Sequence, residues 1–281
     1  MPMTSQRFAC LLVSDFPLAV MLRRDPTLLL EPVALAETER ENAVILAANG
    51  KATRAGLRPG ISAAQAHTLC PGLRILVREP EREAKQAAQL LELLQNVTPL
   101  VEPEVPGVFL LEASGTERLY GGEQQLAEKL IAAFKGQGYP VQVGIGGGRF
   151  VARVAAAVSG RQRYTCVPSA GARVFLAPLP ITHLELDPET EQRLLQLGLR
   201  TLGQLAAFPA NELQARFGEI GLLAAQRSRG FDADYFLPEL LSEQLNAAEY
   251  FTTPLYRSTT VLTQTQLLLE RLFEQLQAQS E

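Results

Sequence analysis

Four carboxylates in the first half of the chain have the chemistry of metal ligands and lie at or near predicted strands: Asp15, Glu102, Glu104 and Glu112. Two-metal phosphoryl transfer, the reaction of polymerases and nucleases, requires carboxylates held close together. Glu102 and Glu104 would share one face of a strand, but neighbouring prolines argue against a strand there. Glu112 stands inside an apolar strand, where a single carboxylate is more often a hydrogen-bonded scaffold residue. The spacing of these candidates does not by itself define a metal site.

Arginines supply a second kind of candidate site, one for phosphate. Arg149 and Arg153 stand four residues apart on a predicted helix and therefore share a face. No acidic residue interrupts the stretch from 149 to 163. We predict two nucleic-acid-binding patches, one formed by Arg149, Arg153, Arg161 and Arg163 and a smaller one by Arg227 and Arg229. A solvated helix face is the alternative interpretation.

A glycine-rich turn, Gly146-Gly147-Gly148, follows a predicted strand and precedes a helix, which is the setting of many phosphate-binding turns. Counting from Gly144, however, the third glycine of the dinucleotide fingerprint falls on Arg149, and no Gly-Lys-Ser/Thr occurs. We therefore interpret the segment as a tight turn between a strand and a helix.

Histidine and cysteine form no further constellation. His67 and His183 lie far apart in the sequence, and we interpret both as structural or surface residues. Cys10, Cys70 and Cys166 are widely separated and odd in number, so neither a disulfide framework nor a zinc site is expected.

Composition excludes several classes of protein. The chain has 281 residues, 47% hydrophobic and 20% charged, with a formal net charge of -4 and a mean hydropathy of +0.04. These values exclude a disordered chain, and the length allows two domains with real cores. No apolar run approaches the roughly 18 residues of a membrane span, and no secretory signal is recognisable, so we expect a cytoplasmic protein. The negative net charge argues against a strong overall attraction to nucleic acid.

The predicted elements divide the chain into three parts. Strands and helices alternate up to about residue 170, which indicates an α/β or α+β domain. From Pro178 to about 236 only helices and tight turns are predicted, with a strong helix start at Asp187-Pro188. An extended stretch, YFTTPLYRS, and a final amphipathic helix, TQTQLLLERLFEQLQAQ, follow. We expect boundaries near 170 and 236 and an incomplete last part.

Four segments stand in a specific order: AVILAANGKATRAGLRPGISAAQAHTLCPGLRIL, VFLLEASG, PVQVGIGGGRFVARVAA and LPITHLELDPETEQRLLQLGLRTLGQLAAF. They resemble, in turn, the fingers, two palm segments and the helix-hairpin-helix thumb of Y-family translesion DNA polymerases. The resemblance covers nearly the whole chain. It implies an α+β fold with palm and fingers at 1–170, a helical thumb at 171–236 and the start of a truncated little finger at 237–281.

The same alignment shows where the chain departs from that family. The positions of three catalytic carboxylates are occupied by Val13, Gly107 and Val108. The Tyr and Arg that hold the incoming triphosphate in the family fall on Gly50 and Thr53. Mg²⁺ demands oxygen ligands, which a valine cannot supply. We therefore predict no catalytic residues and no metal site.

This pattern is similar to the ImuB group, bacterial polymerase-like proteins that keep the fold without the active site. The resemblance implies an adaptor in damage-induced mutagenesis that joins a RecA-like ImuA-type protein, the sliding clamp and an error-prone C-family polymerase. No cofactor is then expected. Two alternatives stay open: an active, low-efficiency translesion polymerase, which would need Mg²⁺ and use Asp15 or the nearby glutamates, and a protein-interaction module that does not bind DNA.

The resemblance also bears on DNA contact. The palm lysines of the family fall on Arg149 and Arg153, which keep the positive charge. The hairpin turn of the thumb falls on Glu185-Leu186-Asp187, whose carboxylates would repel phosphate. We therefore expect weak DNA binding that depends on local arginine patches.

Overall fold

Strands and helices alternate in the first part of the chain and only helices follow, as predicted. The computed structural model describes residues 6–161, 163–232, 236–238 and 258–278. The strands are β1 Phe8–Val13, β2 Val33–Ala36, β3 Ile45–Ala48, β4 Arg74–Val77, β5 Val101–Val105, β6 Val108–Glu112, β7 Val141–Gly146 and β8 Arg163–Cys166. The α-helices are α1 Phe16–Arg24, α2 Gly50–Arg54, α3 Ala63–Leu69, α4 Pro80–Gln95, α5 Thr116–Tyr120, α6 Glu123–Phe134, α7 Arg149–Val158, α8 Ala172–Leu176, α9 Pro188–Gln196, α10 Leu202–Ala207, α11 Ala210–Ser228 and α12 Ser258–Ala278.

A five-stranded sheet in the order β5-β6-β1-β7-β8 forms the first subdomain. Its central strand, β1, is antiparallel to both β6 and β7, whereas β7 and β8 are parallel. Both faces of β1 are covered: Ala9 and Leu11 pack in a cluster with residues of α4 and α6, and Cys10 packs with Ala152 of α7. Burial on both faces explains why the strand is a continuous apolar run rather than an alternating one.

The glycine-rich segment around β7 serves packing. A methyl group built on Gly144 would lie 2.1 Å from the carbonyl oxygen of Ala152. Only glycine therefore allows α7 to lie this close to β7, and the interpretation of the segment as a strand-to-helix turn agrees with the structure.

A second, three-stranded sheet in the order β3-β2-β4 supports the predicted fingers. β2 is antiparallel to β3 and parallel to β4. Asn49 caps α2 by accepting from the Ala52 N–H, and its amide donates to the Glu31 carbonyl oxygen at 2.7 Å. Ser62 and Gln65 form a capping box at the start of α3.

Helices α8 to α11 form the predicted thumb, and Asp187 caps α9 as its sequence predicted. The apolar side of α7 contributes Phe150 and Val154 to the same core as Leu205 and Ala224 of the thumb helices. The chain divides into two compact units, residues 1–240 and 241–281. The predicted boundary near residue 170 therefore lies within one unit, and it stays a prediction.

One expectation about secondary structure was wrong. The prolines near 103 did not prevent a strand, because β5 is the edge strand of its sheet and pairs with β6 alone. The predicted final helix is present as α12, in the second unit. Most of the predicted extended stretch at 250–258 lies outside the described residues. None of the described helices is long and apolar enough to cross a membrane.

Candidate functional site

The three positions that correspond to catalytic carboxylates in the resemblance lie together at one end of two adjacent strands. The Val13 N–H donates to the Gly107 carbonyl oxygen at 2.8 Å, and Val108 begins β6. Val13 is 2% exposed and packs among the core residues on the α4 and α6 side. Val108 is 8% exposed and packs on the opposite side of the sheet with Cys10. Both side chains belong to apolar clusters.

Gly107 is covered by an aromatic residue. Its φ angle is +89°, and a methyl group built on it would lie 2.5 Å from the Phe16 Cβ and 2.7 Å from the Phe16 Cγ. Real Cβ atoms do not approach this closely, and the contact is to the stem of Phe16 rather than to a flexible tip. The space for a side chain at this position is therefore already filled.

The remaining candidate carboxylates are not gathered here. Glu112 pairs with Phe8 at the other end of β1, roughly 17 Å from Val13 at about 3.3 Å per residue. Glu102 and Glu104 project from β5 towards α7, where both accept from the Arg149 guanidinium. Within the described part of the chain, no three His, Cys, Asp or Glu side chains are grouped so as to hold a metal ion. The residues present at the family's ligand positions thus do not fit Mg²⁺.

Arg149 is the centre of an ion-pair network. One of its terminal nitrogens lies 2.5 Å from a Glu102 oxygen and 3.1 Å from a Glu104 oxygen, and its side chain is only 11% exposed. Burial lowers the pKa of the guanidinium, but the hydrogen bonds and charges of Glu104 and Glu102 outweigh burial, so the pKa is raised overall. Arg153 pairs with Glu185 of the hairpin turn and lies 3.8 Å from Glu104. The network links β5, α7 and the predicted thumb.

The six predicted nucleic-acid-binding arginines do not form one surface. Arg149 and Arg153 pair with carboxylates from β5 and the predicted thumb, although the stretch from 149 to 163 itself has no acidic residue. Arg229 donates to the carbonyl oxygens of Ala206 and Phe208, so it holds the end of α10. The other three predicted arginines lie in different surroundings. Arg227 lies over the Phe150 ring, Arg161 is near Asp15, and Arg163 is exposed on β8. A role of these residues in DNA binding stays a prediction.

The hairpin turn of the predicted thumb also has internal partners. Glu185 adopts a φ of +50° and reaches Arg153. The Asp187 carboxylate accepts from the Thr190 N–H. The charge of Glu185 is thus paired with that of Arg153, whereas the Asp187 carboxylate, which accepts from a backbone N–H, keeps its negative charge.

The amino-terminal end of α7, where a phosphate could bind, holds a carboxylate of the chain itself. The Phe150 N–H donates to Asp232 at 2.7 Å. Nearby, the Leu237 N–H donates to Glu102 at 2.7 Å, and the rings of Phe236 and Phe8 lie 5.5 Å apart. The segment after the thumb therefore lies against the palm and satisfies a helix terminus that would otherwise attract anions.

Asp15 lines a cavity of about 580 Å³ between the end of β1 and the start of the fingers. The cavity walls are largely apolar and include Leu18, and the polar residues that line the cavity include Asn49 and Arg161. Asp15 has a φ of +49° and makes no capping hydrogen bond to α1. Burial raises the pKa of the Asp15 carboxyl, and the charge of Arg161 opposes that effect. Of the four candidate carboxylates, Asp15 alone lines this cavity together with Gly50, which the resemblance aligns with a triphosphate contact of the family.

Replacing Asp15 with asparagine should stabilise the fold at pH 7. A carboxyl whose pKa is raised by folding costs stability once the pH exceeds its unfolded pKa of about 3.9. The gain in unfolding free energy for Asp15→Asn should therefore be larger at pH 7 than at pH 4, as measured by urea denaturation. Asparagine also tolerates the positive φ.

Asp25→Asn is the matched control for this prediction. Hydrogen bonds from the Thr27 side chain and N–H lower the pKa of Asp25, so that substitution should destabilise the fold at pH 7. Equal effects of the two substitutions at both pH values would contradict the assignment of a raised pKa to the Asp15 carboxyl.

Solved structures match this fold across most of the chain. A chimeric Y-family DNA polymerase superposes with a TM-score of 0.70 at 16% identity, covering 83% of this chain and 70% of that one. DinB from Sulfolobus solfataricus superposes with a TM-score of 0.66 at 17% identity, covering 80% of this chain and 67% of that one. The fold is thus the mixed α+β fold of Y-family polymerases, as the sequence predicted.

Curated relatives agree with this class. The chain is 27% identical over 242 residues to DNA polymerase IV of Ralstonia nicotianae and 29% identical over 234 residues to DNA polymerase IV of Moorella thermoacetica. These alignments cover 85% and 82% of this chain but 68% and 58% of the relatives. The impB/mucB/samB family model matches residues 11–157, which is more than half of the chain. The chain belongs to the impB/mucB/samB family.

Sequence reasoning missed several residues that shape the site. Asp232 and Glu185 act on α7 from distant parts of the chain, and no local pattern indicates such contacts. Phe16 fills the space where a side chain of residue 107 would lie, and it does so because β1 and β6 are neighbours in the sheet. A different signal was available in the sequence: no acidic residue occurs between Glu41 and Glu79. That stretch holds five cations: Lys51, Arg54, Arg58, Arg74 and Arg78.

Proposed function

We propose that this chain is a non-catalytic, polymerase-like protein that acts as a DNA-associated adaptor in damage-induced mutagenesis. One observation carries the proposal: the three positions that hold catalytic carboxylates in the family are Val13, Gly107 and Val108, and Phe16 fills the space beside Gly107. Phosphoryl transfer needs bound cations to neutralise the charge that develops on the phosphate. Apolar side chains packed in two cores cannot hold those cations.

The nucleotide side of the site supports the same proposal. The residues at the family's triphosphate contacts are Gly50 and Thr53, which offer neither an aromatic ring nor a positive charge. Among the other candidate carboxylates, Glu102 and Glu104 face Arg149, and Glu112 lies at the far end of β1. A relocated metal site would have to break that ion-pair network first.

The adaptor role rests on the resemblance to the ImuB group. It assigns as partners DNA, a RecA-like ImuA-type protein, the sliding clamp and an error-prone C-family polymerase, and it places the chain in the cytoplasm. Pull-downs of the intact chain with each purified candidate would test this part of the proposal. Retention of none of the three proteins would contradict the adaptor role.

An active translesion polymerase is the second candidate. The relatives named DNA polymerase IV favour it, as does the position of Asp15 beside a cavity that the start of the fingers also lines. In that case Asp15 would have to hold Mg²⁺ without the usual neighbouring carboxylates. This candidate predicts activity that depends on Asp15.

Primer extension separates the two candidates. With a primer-template, all four deoxynucleotides and either Mg²⁺ or Mn²⁺, we expect no templated incorporation by this chain, and none by its Asp15→Ala variant. DNA polymerase IV of Moorella thermoacetica, assayed alongside, controls for the substrate. Templated incorporation that disappears with Asp15→Ala would overturn the non-catalytic proposal, whether or not the chain binds DNA.

A further inference from the structure

The positive charge of the predicted fingers lies on one exposed corner around α2. Five cations and no acidic residue occur between Glu41 and Glu79: Lys51, Arg54, Arg58, Arg74 and Arg78. Arg78 pairs with Glu37 and Glu83, and Arg74 lies 3.8 Å from Glu31. Within the described residues, the other three form no ion pair, in contrast to Arg149 and Arg153. We call Lys51, Arg54 and Arg58 the fingers cation cluster.

The geometry of α2 brings these three cations together. Lys51 and Arg54 stand three residues apart on the helix and share a face. Arg58 donates to the carbonyl oxygens of Thr53 and Leu57, both at 3.3 Å, and so lies against the end of the same helix. Lys51 donates to the Leu30 carbonyl oxygen at 2.6 Å, a neutral partner that leaves its charge uncancelled. All three cations are exposed.

The surface around the cluster is open, and the stretch of chain that carries the cluster has no aromatic side chain. A methyl group built on Gly50, Gly56 or Gly60 would meet no atom within 4 Å, so a bulky partner could approach the backbone there. No Phe, Tyr or Trp occurs between Glu41 and Glu79. Binding of single strands commonly uses aromatic rings on which bases stack, whereas contact with duplex phosphates needs only well-placed cations.

We propose that the fingers cation cluster is a sequence-independent binding surface for the phosphate backbone of duplex DNA. The inference rests on the proposed DNA association and says where on this chain it takes place. Carboxylates of the chain itself engage Arg149, Arg153 and the start of α7, so these palm positions offer little uncompensated positive charge, whereas Arg161 and Arg163 stay exposed. Gly50, at the start of α2, lines the same cavity as Arg161, so the cluster lies next to one further exposed cation.

Salt-dependent binding tests the proposal. Fluorescence anisotropy with a labelled blunt-ended duplex, titrated with the full chain across a series of salt concentrations, yields the number of phosphate contacts from the slope of log K against log salt. In the double variant Lys51→Gln, Arg54→Gln, the slope should become shallower by about 1.8, because each lost contact removes about 0.9. Binding at low salt should weaken by roughly tenfold or more.

Lys85→Gln with Arg173→Gln is the matched control, because it removes one exposed Lys and one exposed Arg elsewhere. It should leave the slope unchanged, and equal urea midpoints for all chains would show that folding is preserved. Equal slopes in the two double variants would overturn the proposal that the fingers cation cluster contacts phosphate, while leaving the proposed DNA association intact. Absence of binding by the unaltered chain would overturn both. Tighter binding of a single strand, insensitive to Lys51→Gln with Arg54→Gln, would overturn the duplex assignment alone.

Discussion

Replacement of Arg149 with methionine should lower the free energy of unfolding by about 3–5 kcal/mol, because it leaves the charge of Glu102 without a cation and Glu104 with only Arg153, at 3.8 Å. The side chains of Arg149, Glu102 and Glu104 are only 11%, 13% and 18% exposed, so water compensates poorly for the loss. Methionine keeps an apolar stem of similar length, so the effect reports on charge rather than on packing. Urea denaturation at neutral pH measures it.

Two further variants make this prediction specific. Adding Glu102→Gln and Glu104→Gln to Arg149→Met should recover most of the lost stability, since no unpaired charge is then left. Arg153→Met should cost about 1 kcal/mol or less, because Arg153 is 33% exposed and its partner Glu185 is 64% exposed. If Arg149→Met costs no more than Arg153→Met, the network does not stabilise the palm in the way described.

Gly107→Ala should destabilise the fold by about 2–5 kcal/mol, the second largest effect we expect. The positive φ costs an alanine about 1–2 kcal/mol, and the clash with the Phe16 stem adds about 1–3 kcal/mol of overpacking. Gly56→Ala is the matched control, since Gly56 has a φ of +94° with nothing within 4 Å. It should show the backbone cost alone, again by urea denaturation.

A double-mutant cycle isolates the contact with Phe16. Phe16→Ala removes the ring from the site, although its Cβ stays, so Gly107→Ala should cost less in that background, with a coupling of about 0.5–3 kcal/mol. Equal costs for Gly107→Ala and Gly56→Ala would show that Phe16 does not fill the site. The expected result means that a carboxylate cannot return to residue 107 without a change at Phe16, which bears directly on the non-catalytic proposal.

Local sequence determined most of the elements. Asp187-Pro188 predicted the start of α9, and the order of motifs predicted the Y-family fold. These signals depend on neighbouring residues: apolar periodicity, side-chain caps and the fixed φ of proline act within a few positions. The alignment of motifs also predicted that positions 13, 107 and 108 correspond to the family's three catalytic carboxylates. Their adjacency in the structure agrees with that alignment.

Tertiary structure decided which arginines are paired with carboxylates of the chain itself and which stay available for an external phosphate. By sequence, Arg149 and Arg153 stand in a stretch without acidic residues, yet Glu102, Glu104 and Glu185 reach them from β5 and the thumb. Asp232 likewise reaches α7 from more than eighty residues away. Electrostatic partners are set by distance in space, which a local pattern does not contain. The sequence by itself predicted that Val13, Gly107 and Val108 stand at the family's metal-ligand positions. Only the folded chain pairs Arg149 and Arg153 with carboxylates and, among the described residues, leaves Lys51, Arg54 and Arg58 without an ion pair.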